Sequence, residues 1–102
     1  MKKNDHHLIY KSSATLCDGT SRLQGCLELW NTEIYFRLND FKESHLNLII
    51  PLKGIEKVEE YLVFDLAKNG LRIQDEEGRY DLFVLEDVRT FKQILIKTMG
   101  IK

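Results

Sequence analysis

Residues 86–100 read EDVRTFKQILIKTMG, and their reading decides the fold. Val88, Phe91, Leu95, Thr98 and Met99 recur at spacings of three and four, which lays one apolar stripe along an α-helix. Asp87 stands where it can cap the first turn and Gly100 where it can end the last, with Arg89, Lys92 and Lys97 toward the polar side. Everything before this run alternates as short strands. A single amphipathic helix after about seven strands needs somewhere to lay its stripe, and one open end of a small curled sheet fits.

Working back from the helix, Tyr80 to Leu85 alternates as a strand and Glu76-Glu77-Gly78 turns the chain into it. A two-residue loop at Glu76-Glu77 sets Ile73 opposite Tyr80 and Leu71 opposite Leu82. Lys68-Asn69-Gly70 reads as the preceding turn, and Val58, Leu62 and Phe64 as a buried face with Lys57, Glu59 and Tyr61 outside. Leu46, Leu48, Ile50 and Leu52 alternate before the break at Gly54, with Pro51 near the strand's end. The best-specified piece is a hairpin about Asn31-Thr32. Its register sets Leu29 against Ile34, Leu27 against Phe36 and Gly25 against Leu38 on one face, and Glu28 against Tyr35 and Cys26 against Arg37 on the other. Earlier still, Leu8, Tyr10, Ala14 and Leu16 share a face of a first strand that ends at Cys17. The run DGTSRLQG (18–25) reads as a loop, and residues 1–7 as a flexible polar tail.

The 102 residues suit one domain, with no repeat, low-complexity tract or linker to imply another. Fifteen Lys and Arg against sixteen Asp and Glu give a net charge of −1, which argues against a nucleic-acid partner. The polar start MKKNDHH lacks a signal-peptide core, and no apolar run approaches the ~20 residues of a membrane span. With only Cys17 and Cys26, a cytoplasmic setting with reduced thiols is expected.

Gly25-x-Leu27-x-Leu29 followed by Ile34-Tyr35-Phe36, then Ile50-Pro51-Leu52-x-x-Ile55-x-x-Val58, then Asn69-Gly70-Leu71-x-Ile73, Gly78-x-Tyr80 and Phe91-x-x-x-Leu95, resembles the ordered motifs of GRAM and bacterial pleckstrin-homology-like domains. The resemblance covers roughly residues 22–99. It implies an all-β barrel of two near-orthogonal antiparallel sheets, one open corner plugged by the C-terminal helix, in a bacterial protein.

No motif supports catalysis, a cofactor or a metal. His6 and His7 are adjacent and point apart on a strand, Cys17 and Cys26 lack ligand spacing, and His45 has no partner motif. The expected function is therefore a binding module, with two candidate surfaces. Trp30, Tyr35 and Tyr61 fall on outward faces and could meet a protein partner or a second copy, in an interaction or adaptor role. Scattered exposed apolar residues are the plainer account of them. The alternative surface is cationic. Lys11 and Arg22 near the loop after the first strand, helped by Arg37 and Lys42 if the fold brings them close, could hold a phosphoinositide or anionic lipid headgroup weakly. Ordinary surface charge is the plainer account of those four. An accessory subunit of an enzyme is not separable from the adaptor reading.

Overall fold

Asn31-Thr32 reverses the chain between β2 (Ser21–Trp30) and β3 (Glu33–Leu38), and the five predicted pairs from Gly25↔Leu38 to Leu29↔Ile34 all form. The computed structural model describes residues 6–38, 48–63 and 68–100. Among these, β1 (Leu8–Asp18) precedes the hairpin; β4 (Leu48–Pro51), a 3-10 turn at Leu52–Gly54, β5 (Ile55–Val63), β6 (Lys68–Asp75), β7 (Tyr80–Leu85) and α1 (Val88–Met99) follow it. All pairings are antiparallel, and hydrogen bonds run continuously in the order β4-β3-β2-β1-β7-β6-β5. The long β1 joins the two halves, pairing with β2 along its length and with β7 over Ala14–Cys17. The array stays open between β4 and β5, and its inner face meets α1. This is the expected pleckstrin-homology-like architecture.

Why the inner face holds together follows from the alternation. Leu27, Leu29, Ile34, Phe36, Leu71, Ile73, Phe83 and Leu85 all turn inward and are buried. Phe36 and Phe83 meet with ring centroids 5.6 Å apart, which ties the two halves across the core. Val88, Phe91 and Leu95 bury the helix stripe, with Phe91 set edge-on to Tyr10 of β1 at 5.7 Å. At the helix start, the Asp87 carboxylate accepts from the Thr90 N–H (3.2 Å) and hydroxyl (2.7 Å). At its end, Gly100 takes the left-handed conformation (φ 76°) and its N–H reaches the carbonyls of Ile96 and Lys97. Gly25 has a different reason to be glycine. A Cβ there would lie 2.3 Å from the Arg37 carbonyl oxygen and 2.7 Å from the Phe36 ring.

Four local expectations are corrected. The stretch 18–25 is not a loop: Gly19-Thr20 alone turns, with Gly19 at φ 60°, and Ser21 to Gln24 already pair with β1. Leu23 faces in between outward Arg22 and Gln24, so polar residues there mark the solvent side of a strand. Leu8 pairs with Trp30 after a bulge between Leu8 and Tyr10, so it sits on the outer face, 41% exposed. Lys68-Asn69-Gly70 opens β6 rather than turning, because Gly70 is held between Tyr61 and Val84 by ladders on both sides. The β6–β7 loop has three residues, Glu76–Gly78, with Gly78 at φ 87° and the Asp75 carboxylate accepting from the N–H groups of Glu77 and Arg79. That extra residue shifts the register by one: Leu71 opposes Phe83, Ile73 opposes Asp81, and Tyr80 turns outward. The expectations for Leu46, Phe64 and the side chain of Leu62 lie outside the described residues.

Removing the ring that α1 plants in the core should be costly. Phe91→Ala is expected to lose about 3–5 kcal/mol in denaturant unfolding, whereas exposed Lys97→Ala should stay within about 0.5 kcal/mol of the parent. Equal small losses would show that the helix does not seal the barrel.

Candidate functional site

Cross-strand neighbours share a face, so the ladders define the outer surface of β1–β4 row by row. One row runs Lys11, Glu28, Tyr35, Ile49; a second sets Ser13, Cys26 and Arg37 side by side; Leu8 and Trp30 form a third. Glu28 is the centre. Its carboxylate oxygen Oε1 accepts from Trp30 Nε1 at 2.9 Å and from Arg37 Nε at 3.0 Å, although the residue is only 8% exposed. Burial works to raise its pKa, but the hydrogen bonds from Trp30 and Arg37, with the charges of Arg37 and Lys11, outweigh that and hold it below the usual carboxylate range. The same Arg37 guanidinium lies over the Tyr35 ring, 4.8 Å from its centroid.

Aromatic packing extends this centre. The Trp30 and Tyr35 centroids are 5.9 Å apart, and the imidazole of His6 stacks on the indole at 4.5 Å with a 13° tilt. His6 Nε2 lies 2.6 Å from Glu33 Oε2. The Thr32 hydroxyl also donates to Glu33, and together with the bonds from His6 and Tyr35 it keeps that carboxyl below its ordinary range. The neighbouring segment is fixed by two reciprocal bonds: the His7 N–H donates to Asn31 Oδ1 and the Asn31 N–H to the His7 carbonyl. His6 and His7, expected in a flexible tail, are thus bound to the β2–β3 hairpin. Residues 1–5 lie outside the described residues.

The candidate residues divide between separate places. Trp30 and Tyr35 come together, with Trp30 half-covered by His6. Tyr61, 52% exposed, is on β5 at the far end of the hydrogen-bonded array. Of the four cations, Lys11 and Arg37 flank Glu28. Arg22 is six residues from Glu28 along β2, roughly 20 Å, and its guanidinium donates to the carbonyls of Gly19 and Ser21. Lys42 lies outside the described residues, as does His45. Cys17 and Cys26 are both half-buried on outward positions of neighbouring strands, but four residues apart in register. Among the described residues no group of three or more His, Cys, Asp or Glu could hold a metal ion. Sequence reasoning missed Glu28, His6 and Ile49, the last 55% exposed. The alternation of Leu48 and Ile50 marks Ile49 as outward, whereas nothing local signals that His6 reaches Trp30.

No protein-family model matches the chain, and no curated protein matches it in sequence. Solved structures do match in fold. The C-terminal domain of an unknown protein from Leishmania infantum aligns over 93% of this chain and 85% of its own, with a TM-score of 0.80 at 9% identity. The Vps36 N-terminal PH domain aligns over 98% and 83%, with a TM-score of 0.78 at 15% identity. The hSac2 domain from human phosphoinositide phosphatase Sac2 aligns over 97% and 73%, with a TM-score of 0.71 at 14% identity. The chain shares its fold with all three, and in the Vps36 domain that fold is a pleckstrin-homology one.

Because the folded-state pKa of Glu28 is depressed, its contribution to stability is present above the ordinary value of about 4.3 and fades as pH falls through the lower folded value. In urea titrations, Glu28→Gln should therefore be less stable than the parent at pH 7, and the gap should shrink below about pH 4. A gap unchanged by acid would contradict the ionised Glu28 centre.

Proposed function

We propose that this pleckstrin-homology-like domain is a non-catalytic binding module that meets a protein partner, or a second copy of itself, through the outer face of β1–β4. One observation carries this reading: Leu8, Trp30, Tyr35 and Ile49 share that face, around a carboxylate already paired within the chain. Aromatic side chains with few rotatable bonds lose little entropy when covered, and Trp and Tyr are favoured at energetic centres of contact surfaces. Glu28, Trp30 and Arg37 hold one another, so the polar part of the face is ordered before any partner arrives.

An anionic lipid headgroup is the weaker reading. A phosphate needs several converging donors, and here Arg37 and Lys11 flank Glu28 while Arg22 binds carbonyls of its own turn. Within the fold, a GRAM-like bacterial origin is supported by the motif order from Gly25 to Leu95. A cytoplasmic setting is supported by two cysteines that are not joined.

Recovery of partners from extracts of the native cells, with sedimentation velocity for self-association, tests the proposal. Tyr35→Ala and Leu8→Asp should each weaken the principal interaction by about tenfold or more while leaving the fold intact by circular dichroism. Undiminished interaction in both variants would overturn it. In low-salt vesicle sedimentation, anionic and neutral vesicles should bring down the domain equally. A clear preference for anionic vesicles, abolished by Arg22→Ala, would favour the headgroup instead.

A further inference from the structure

We propose that the cleft between β4 and the β6–β7 hairpin receives an extended, basic segment of a partner protein, laid along the open edge of β4. This surface adjoins the Trp30–Tyr35 face at Ile49, which borders both, but the argument for it rests on the β4 backbone edge and the acidic hairpin and not on that face.

The backbone comes first. β4 ends the hydrogen-bonded array: β3 pairs with one edge, and among the described residues no strand pairs with the other. An unpaired strand edge offers a row of N–H and C=O groups that an added strand can satisfy. Four residues of β4 give about 13 Å of edge, on which Pro51 accepts but cannot donate, enough for a short extended segment. Beside this edge lies a cleft of about 800 Å³, with β4 on one side and Ile73 and residues 75–81 of the hairpin on the other.

The side chains then choose the occupant. Leu48 and Ile50 on β4 and Ile73 on β6 give the cleft an apolar floor. Among the described residues its rim is acidic: Asp75, Glu76, Glu77 and Asp81 all line it, against the single guanidinium of Arg79. That guanidinium is already engaged, 3.2 Å from Asp75 and 2.9 Å from Glu77. Glu76 and Asp81 thus leave the cleft negative. Asp81 stands opposite Ile73 on the inward face, where burial, and then the charges of Asp18 and Asp75, push its carboxyl up. A Lys or Arg entering there would supply a countercharge that no described residue gives this carboxylate. Alternate residues of an added strand point the same way, so a segment with one apolar and one basic residue two positions apart matches floor and rim together. An acidic segment would meet like charge at the same point, which gives the cleft its discrimination.

The probe is the peptide acetyl-Thr-Val-Thr-Arg-Thr-Val-Thr-amide, compared with its Arg-to-Glu counterpart and with a version N-methylated at alternate residues. Binding to the full chain is followed by nuclear magnetic resonance of backbone amides. The Arg peptide should shift amides of residues 49, 50 and 75–81, and the Glu peptide should bind about tenfold or more weakly. N-methylation on the edge-facing side should abolish binding, and Asp81→Asn should weaken the Arg peptide but not raise the affinity of the Glu peptide to match it. Tyr35→Ala should leave the affinity unchanged, which separates this surface from the other. Asp81→Asn also carries its own folding control: relieving a carboxylate whose pKa is raised should increase the melting temperature at pH 7 and do little at pH 3. Equal binding of the Arg and Glu peptides, indifference to N-methylation, shifts centred on Trp30 and Tyr35, or self-association through the cleft without peptide binding would each overturn the proposal.

Discussion

The contact of Phe91 with Tyr10 is where the two kinds of structure in this chain meet. A curled sheet open between its edge strands β4 and β5 buries its inner face only if something covers it. Here a three-turn helix does so with Val88, Phe91 and Leu95. Tyr10 belongs to β1, the strand shared by both halves of the array. The helix lies over β5 and β6 and, through Phe91, reaches across to the strand that carries the continuity of the sheet. Asp87 and Gly100 fix where the helix starts and stops, so the stripe arrives at that depth and not a turn away.

With the inner face closed, the outer surface is available for contact. Its two regions have different physics. On β1–β4, Glu28 is nearly buried yet charged, and its stability rests on donors from Trp30 and Arg37. Such a carboxylate is costly if a partner is removed, since the remaining charge stays desolvated. That interdependence ties Trp30 and Arg37 to one carboxylate. Beside β4, the cleft has the opposite character: its backbone edge is open among the described residues, and its carboxylates outnumber the cations lining it.

Pairing registers were legible wherever both strands alternated cleanly about a short turn. The β2–β3 hairpin formed as expected because a one-residue slip would have turned Leu27, Leu29, Ile34 and Phe36 to water. The β6–β7 register escaped the same logic. Either alternative gives Leu71 an apolar neighbour, Leu82 or Phe83, and the choice fell to the turn, where Gly78 and the Asp75 carboxylate favour three residues over two even though Ile73 then meets Asp81. The strand from Ser21 to Gln24 was hidden because its polar side chains look like loop composition. Gly70 was hidden because a glycine held between two ladders has the same letter as one in a turn.

By itself the sequence determined the class of fold: short alternating strands, one terminal helix with its caps and buried stripe, and the outward placement of Trp30, Tyr35 and Tyr61. These follow from period and local chemistry, which need no knowledge of distant neighbours. Tertiary structure alone decided what those outward residues touch. It brought His6 onto Trp30, set Arg37 and Lys11 around Glu28, kept Tyr61 apart, and gathered the acidic hairpin beside the edge of β4. Such meetings depend on how the sheet curls and where its array stays open, and no residue records that in its own spacing.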